Sequence, residues 1–404
     1  MGIITAKLVC AYYFNDIITL FFGGLTVAVA LEEVNLHKRI ALRVLKTVGA
    51  EPKWLLFGFM SITSFLSCWI SNVAATAMIL PIGIAVLDQL KKNIDENADE
   101  HTKSENVPLV KVEIGKRGSQ TSESASSGIS EELQERYKSH NEFCKAIVIA
   151  VCYTASIGGT GMLTGTGANL IFMGILPSRA GINFGSFALM NFPIAVIMTF
   201  ICWAWLWFLY IRKSKKSTPA QLEIVTGIID EEYKSLGKMS WAEKTVATIF
   251  SLLAFLWLTR KPGFMPGWAD IPIFSTVNES GRAYISDSTV SIFMAFWLFV
   301  LPKEKPSFGQ PPPKPILTFK MATTRLPWGV IFILGGGFAM AAGVNSSGLA
   351  DWIGTKLDFL VGMPIFIVVV ICASVVCFTS QAASNSATIT IFLPVLQSLA
   401  STLH

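Results

Sequence analysis

Two Ser-Asn pairs, Ser71-Asn72 and Ser384-Asn385, lie in the middle of long apolar stretches of the sequence. Their side chains offer oxygen atoms, and a helix that breaks at such a pair also frees backbone carbonyl and N–H groups. Oxygen atoms suit a hard cation such as sodium, whereas the positive end of the helix that follows each pair suits an anion. The alternative is that Ser and Asn cap a helix or bond across a packed pair of helices.

Each pair lies in an apolar stretch that is too long for one membrane crossing. The first stretch, 54–90, has 37 residues, and about 20 residues are enough to cross a bilayer. A re-entrant helical hairpin with the Ser-Asn pair at its tip accommodates the excess. Because lipid cannot satisfy free backbone groups, such a tip must line a protein or aqueous cavity. The second arms of the two hairpins are expected to begin near Ala74 and Ala387.

The composition of the chain is that of a membrane protein. Hydrophobic residues make up 52% of the 404 and charged residues only 15%, whereas a soluble domain is about a quarter charged. The apolar residues cluster in runs near the length of a membrane-spanning helix, which predicts an all-α polytopic membrane protein. The runs lie near 17–34, 54–90, 143–175, 187–211, 243–259, 288–302, 326–345 and 361–403. The seven cysteines show no CxxC spacing, so buried structural thiols are the favoured interpretation.

The polar segments predict how the chain is oriented. Basic residues are concentrated in the gaps between apolar runs, so positive-inside topology explains the net charge of +5 better than nucleic-acid binding does. Segments 91–140, 212–241 and 303–325 are therefore expected in the cytoplasm, and 91–140 is expected to be a solvated loop. Segment 261–287 carries a glycosylation sequon at Asn278 and is expected outside. No cleaved signal peptide is expected, and the plasma membrane is the expected location.

The two ends of the chain repeat each other at a fixed offset of 313 residues, with no insertion. In the first copy basic residues follow the first helix, whereas in the second copy they precede it. The copies are therefore predicted to run in opposite directions, an arrangement typical of secondary transporters with a binding site at the midplane. The matched residues are Gly23-Gly24 with Gly336-Gly337, Leu36 with Leu349, Ile40 with Ile353, Ser67 with Ser380, Ser71-Asn72 with Ser384-Asn385 and Pro81 with Pro394.

A Gly-rich stretch interrupts the apolar run between the two copies, from Ala155 to Leu170. Its glycines predict a broken helix, and close packing of small residues is the alternative. The GTG within it is no dinucleotide fingerprint, because no strand precedes it and no acidic residue follows about twenty positions later.

These features predict seven consecutive units along the chain. They are a first repeat at 1–90 with its hairpin tip at 71–73, a polar loop at 91–140, a broken helix and a further span at 141–211, a loop at 212–241, two spans at 242–302, a loop at 303–325, and a second repeat at 326–404 with its hairpin tip at 384–386.

Seven short motifs closely resemble the divalent-anion/sodium symporter family, which includes sodium-coupled dicarboxylate, citrate and sulfate carriers. They are FFGGL at 21–25, NLHKRIALRVL at 35–45, WISN at 69–72, ASIGGT at 155–160, LTGTGANL at 163–170, LGGGFA at 334–339 and SNSATITIFLP at 384–394. The resemblance covers nearly the whole chain. It implies that the two Ser-Asn tips hold an anion from opposite sides.

The resemblance also implies the ligands of each site. One sodium site would use Ser67, Ser71, Asn72 and Gly165, and a second sodium site would use Ser380 and Asn385. The anion would contact Asn72, Val73, Thr166, Asn385 and Ser386.

Three departures from the family pattern affect this expectation. Val73 stands where the family often has Thr, which removes a hydroxyl from the expected anion pocket. Ala168 stands where the family commonly has Pro, which weakens the enforced helix break. The counterpart of Gly165 would fall at position 478, after His404, so the second sodium site is expected to be half built and the chain to be truncated at both ends.

The expected function is symport of a di- or tricarboxylate of the succinate and citrate class, driven by inward sodium. No His, Cys or carboxylate cluster has catalytic spacing, so an enzyme is not expected. Sulfate transport is the first alternative, and a truncated subunit that modulates full-length copies is the second. A channel is disfavoured because no filter-like run of acidic residues is present. Expected partners are the small anion, sodium ions and the bilayer, with a homodimer left open.

Overall fold

The computed structural model describes residues 2–104, 124–176, 181–212, 219–277, 283–306, 313–349, 352 and 362–403, and these residues are predominantly helical. The first half contains α1 Ala6–Tyr13, α2 Asp16–Glu33, α3 Leu36–Val48, α4 Pro52–Ser67, α5 Asn72–Ser104, α6 Ser124–Gly161 and α7 Gly167–Ile175. The second half contains α8 Phe184–Leu206, α9 Pro219–Ser235, α10 Trp241–Arg260, α11 Asp287–Val300, α12 Phe319–Arg325, α13 Trp328–Ser346, α14 Ile365–Ala382 and α15 Asn385–Leu403.

Seven helical segments in the described ranges are long and apolar enough to cross a membrane. They are Ala6–Glu33, Asn72–Glu96, Gln134–Gly161, Phe184–Ile211, Trp241–Arg260, Trp328–Ser346 and Ile365–Ala382. With no β-strand among the described residues, this confirms the predicted all-α polytopic membrane protein. The re-entrant crossing of the two hairpins stays a prediction.

Several helices begin at side chains that satisfy their first free N–H groups. The Asn15 side chain accepts a hydrogen bond from the Ile18 N–H at 2.9 Å, which fixes the start of α2. Ser240 and Glu243 form a reciprocal capping box at the start of α10. These caps determine where the apolar helices start, and so determine which residues lie near each end of the bundle.

The polar segment 91–140 is helical at both of its ends, which differs from the solvated loop expected there. Helix α5 continues to Ser104 and α6 already begins at Ser124, while 105–123 lies outside the described residues. The segment is rich in Glu and Lys, which are good helix formers, and Lys92 and Glu96 lie one turn apart at 3.9 Å. The prediction of a loop therefore gave too much weight to the charge of this segment and too little to the helix propensity of its residues.

The helix boundaries follow the offset of the internal repeat. Moving by 313 residues carries the start of α4 from 52 to 365, where α14 begins, and the start of α5 from 72 to 385, where α15 begins. Helices α2 and α13 correspond to within one residue at each end, which is the ordinary uncertainty of helix boundaries. Most of the counterpart of α3 lies outside the described residues.

The first helices of the two copies run in opposite directions. Phe22 packs against Trp328 at the start of α13, with ring centroids 6.0 Å apart. Earlier in the chain, Tyr13 packs against Gly335 and Ile4 packs against Gly343. Along the segment from Ile4 to Phe22, which includes α1 and the start of α2, sequence numbers thus fall as those of α13 rise, as the charge flanks predict.

Ion pairs and hydrogen bonds connect the polar segments at the two ends of α2. At its carboxyl end, Glu33 pairs with Lys303 at 3.2 Å and with Arg325 at 2.9 Å. At its amino end, Asp16 accepts a hydrogen bond from Ser286 at 2.6 Å. Segments predicted to share the cytoplasm therefore lie at one end of α2, and the segment predicted to be outside lies at the other. Asn278, the predicted glycosylation site, lies outside the described residues.

We expect an impermeant thiol reagent applied to intact cells to label a Ser275→Cys variant and not a Glu231→Cys variant, measured against the parent chain. Both side chains are exposed, in the segment predicted outside and on α9 respectively. Permeabilisation should then allow labelling at 231. Labelling at 231 in intact cells, with none at 275, would reverse the topology.

Candidate functional site

Oxygen atoms converge at the tip between α4 and α5. The Ser67 hydroxyl, at the end of α4, is fully buried and lies 2.7 Å from Asn72 Oδ1 and 2.6 Å from the Ala155 carbonyl oxygen. A hydroxyl has one proton and can donate to only one of these two acceptors. The Ser67 oxygen therefore has no hydrogen between itself and the second acceptor oxygen, and the two oxygens repel each other. A cation beside these atoms would reduce that repulsion.

Glycines of the Gly-rich stretch allow this tip to form. A Cβ on Gly158 would lie 2.1 Å from the Ser64 carbonyl oxygen, and a Cβ on Gly159 would lie 2.3 Å from Asn72 Oδ1. Gly165 is also confined, since its Cβ would lie 2.9 Å from the Ser67 carbonyl oxygen. Only residues without a side chain can bring α6 this close to α4 and to the start of α5.

The helix in the Gly-rich stretch is broken between Gly161 and Gly167. A short 3₁₀ turn at Leu163–Gly165 separates α6 from α7. The broken helix and the close packing of glycines, which were alternatives at the sequence level, are therefore both present. The break turns the backbone of 163–167 toward the two tips.

Asn169 holds this break in place, a role that the sequence reasoning missed. Its side-chain amide donates to the Gly159 carbonyl at 3.0 Å and to the Met162 carbonyl at 2.9 Å. Gly159 lies in the last turn of α6 and Met162 directly follows the helix, where helical partners run out. The available signal was a lone Asn in the first turn of a helix that follows a Gly-rich break.

Ser71 and Ser384 occupy equivalent capping positions in the two tips. The Ser71 hydroxyl accepts a hydrogen bond from the Ala74 N–H at 3.2 Å, and the Ser384 hydroxyl accepts one from the Ala387 N–H at 3.2 Å. Of the four predicted ligands of the first sodium site, Ser67, Asn72 and Gly165 are thus brought together. The side chain of Ser71 serves as a helix cap.

The predicted residues of the second sodium site are arranged differently. The Ser380 hydroxyl donates to the Cys377 carbonyl of its own helix at 2.8 Å, and no described contact joins it to Asn385, which is exposed. The first tip is enclosed by the end of α6, whereas Val368 is the sole buried residue described on α14. The second pair therefore lacks the packing that confines the first.

The predicted anion residues lie on both sides of segment 163–167. Gly167 begins α7 beside the second tip, since a Cβ on it would lie 3.3 Å from the Ser386 hydroxyl oxygen. Thr166 is half-buried between this contact and the first tip. Helices α5, α7 and α15 all begin here, and their free N–H groups favour a negative charge. Val73 is 79% exposed at the start of α5.

Comparison with known proteins decides the family. A family model described as the sodium:sulfate symporter transmembrane region matches residues 3–404. The chain belongs to this symporter family. The symporter is 40% identical to solute carrier family 13 member 2 of Rattus norvegicus over 99% of this chain and 71% of the relative. It is 38% identical to the Na(+)/citrate cotransporter of Rattus norvegicus, over 99% of this chain and 73% of the relative.

A third relative gives the same result. The Na(+)/dicarboxylate cotransporter 3 of Mus musculus is 38% identical over 100% of this chain and 72% of its own length. Membership of this family makes the protein a multi-pass membrane transporter and not an enzyme, with Na⁺ as the coupling ion.

We expect Gly159→Ala to weaken sodium binding, because the new Cβ displaces the Asn72 carboxamide from the oxygen cluster. A lost ligand in a buried site costs about 1 to 3 kcal/mol, so the sodium concentration that gives half-maximal thermal stabilisation should rise about tenfold or more. Gly329→Ala is the matched control, since a Cβ there meets nothing within 4 Å. Equal sodium dependence in both purified variants would contradict a cation site at this tip.

Proposed function

We propose that this symporter carries di- or tricarboxylates, of the succinate and citrate class, into the cell with inward-moving Na⁺. The observation that carries the proposal is the oxygen cluster of Ser67, Asn72 and Ala155 beside the starts of α5 and α7. Cation ligands and anion-favouring helix ends are thus adjacent, which allows each ion to stabilise the other.

The relatives support a carboxylate as the anion. Their names include a citrate and a dicarboxylate cotransporter, and a dicarboxylate has two charged ends. We propose that one carboxylate meets the start of α5 near Asn72 and the other meets the start of α15 near Asn385 and Ser386. Thr166, between the tips, would contact the middle of the anion.

Sulfate is the second candidate substrate. The description of the matching family names sodium:sulfate symport, and the same helix ends and cation would attract any divalent anion. Sulfate is compact, so it cannot contact two separated tips as fully as succinate can.

The proposal extends to the membrane and to the remaining predicted sites. The plasma membrane is the proposed location, with glycosylation at Asn278 on the outer side. A second sodium ion at Ser380 and Asn385 and a homodimer stay predictions.

Uptake by cells expressing the chain tests the function directly. We expect radiolabelled succinate or citrate to enter with sodium outside and not with choline. Asn72→Ala and Asn385→Ala should each raise the sodium needed for half-maximal uptake about tenfold, the effect of a lost ligand that costs on the order of 1 to 3 kcal/mol. Unchanged sodium dependence in both variants, at normal surface expression, would leave the two asparagines a packing role only.

Substrate choice should respond to Val73→Thr. The substitution is nearly isosteric and adds one hydroxyl donor, which contributes roughly 1 kcal/mol net to a bound anion and more if the oxygen is charged. We expect a several-fold lower half-saturation concentration for succinate, a smaller gain for sulfate, and little change in sodium dependence.

Val73→Ala is the control for the change in shape, because it alters the side chain without adding a donor. If succinate and sulfate uptake are both indifferent to Val73→Thr, residue 73 faces away from the anion.

A further inference from the structure

Arg39 on α3 is a buried cation with an unusually complete set of partners. It is 8% exposed, and its guanidinium donates to both carboxylate oxygens of Glu243, at 2.9 and 3.3 Å. The remaining donors reach the carbonyl oxygens of Leu236 and Gly237, each at 3.0 Å. Because the guanidinium is planar and makes four hydrogen bonds, it fixes both the distance and the angle of α3 relative to the start of α10.

Glu243 is itself held in place without Arg39. The Ser240 N–H donates to Glu243 Oε2 at 2.6 Å, and the Ser240 hydroxyl accepts from the Glu243 N–H at 3.1 Å. Gly237, at φ +62°, turns the chain so that the carbonyls of 236–237 face the same guanidinium. The start of α10 is therefore a preformed anchor for α3.

The position of α3 is transmitted to α4 by close packing. Helix α3 ends at Val48 with Gly49 as its cap, and α4 begins three residues after that cap, at Pro52. A Cβ on Gly58 of α4 would lie 3.1 Å from Leu45 Cδ2, so the two helices touch without a gap. A shift or tilt of α3 must move α4, because packed interiors transmit displacement.

Helix α4 ends at the oxygen cluster. Ser64 lies against Gly158 of α6 with no room for a side chain. One turn later, Ser67 places its hydroxyl 2.6 Å from the Ala155 carbonyl oxygen. A small displacement of α4 along α6 would therefore separate Ser67 from its neighbours.

We propose that Arg39 and Glu243 are positioning residues for the first sodium site, acting on Ser67 through α3 and α4. The proposal rests on the proposed function in taking the oxygen cluster as a sodium site. The other ion pairs of α3, Lys38 with Glu232 and Lys46 with Asp230, are partly exposed and contribute less because water screens them. The second copy has no counterpart of Arg39, since the repeat offset carries position 39 to Trp352.

Arg260 provides a matched control. Its guanidinium binds both carboxylate oxygens of Asp287, and the two side chains are 11% and 10% exposed, against 10% and 7% for Arg39 and Glu243. This pair joins the end of α10 to the start of α11, at the end of the bundle that carries Asp16. Arg39→Lys and Arg260→Lys therefore remove comparable forks. Arg39 lies on α3, which packs directly against α4. The Arg260 pair meets α4 less directly, through α8: the Phe184 N–H donates to Asp287, and the Thr199 hydroxyl lies 3.2 Å from that of Ser64.

The first measurement uses native Cys68 and needs neither sodium nor transport. Cys68 follows Ser67 and is 1% exposed, and its sulfur lies 3.3 Å from the carbonyl oxygens of both Ser64 and Gly158, either of which can accept its one proton. In the purified, sodium-free protein we expect Arg39→Lys to speed modification of Cys68 about fivefold or more, by easing local opening at the tip. Arg260→Lys should leave the rate within about twofold of the parent. Peptide mass spectrometry distinguishes Cys68 from the exposed cysteines.

The second measurement is the sodium concentration for half-maximal thermal stabilisation. It should rise several-fold in Arg39→Lys and stay unchanged in Arg260→Lys. Glu243→Gln keeps an oxygen for the Ser240 cap while removing the charge, and it takes the place of Arg39→Lys in both measurements if that variant fails to fold. Like Arg39→Lys, it should speed the modification of Cys68 and raise the sodium concentration for half-maximal stabilisation.

The outcomes separate the two proposals. Cys68 protection and sodium dependence that are equal in Arg39→Lys and Arg260→Lys would overturn the positioning role, even where sodium-driven uptake is normal. A parent chain that takes up no carboxylate would overturn the proposed function, while faster Cys68 modification in Arg39→Lys alone would still support the positioning role.

Discussion

The contact between α4 and the glycines at the end of α6 is the constraint on which the rest of the site depends. Gly158 and Gly159 let the backbone of α6 approach Ser64 and Asn72 to distances that a methyl group would prevent. That approach buries the Ser67 hydroxyl beside two other oxygen atoms. It also fixes the end of α6, after which the chain can turn through 163–167 and start α7 beside the second tip. Without these glycines, Ser64 and Asn72 could not lie this close to the end of α6.

The sequence predicted the parts of the site that depend on repeated local chemistry. The Ser-Asn pairs start α5 and α15 as expected, and three of the four ligands predicted for the first sodium site lie together. The helical ends of segment 91–140 were missed, because charge density was taken as evidence of a loop although Glu and Lys favour helices. The arrangement at Ser380 was not predictable from its match with Ser67, because enclosure by α6 is a tertiary property that the motif does not encode.

Arg39 shows a different limit of sequence reasoning. Its motif marked the cytoplasmic end of α2, where a basic residue is expected to face water. The structure instead buries it against a carboxylate 204 positions away in the chain. Nothing local distinguishes Arg39 from Arg43, which is one turn away and, among the described residues, donates a 3.5 Å hydrogen bond to the Tyr233 hydroxyl. The two arginines differ because the chain between α9 and α10 places its carbonyl oxygens and Glu243 next to Arg39.

The single proton of Ser67 would couple the binding of a cation to the binding of an anion at the proposed site. A carboxamide carries its oxygen on one side and its NH₂ group on the other, so an Asn72 that turns its oxygen toward a cation must turn its donors away from it. Without the cation, half a rotation about one torsion would let the NH₂ group satisfy Ser67 instead. At the proposed site, a bound cation would therefore select the rotamer that leaves two donors free for an anion. By reciprocity, an anion that used those donors would strengthen the binding of the cation, so one side-chain rotation would be enough to make the two proposed binding events cooperative.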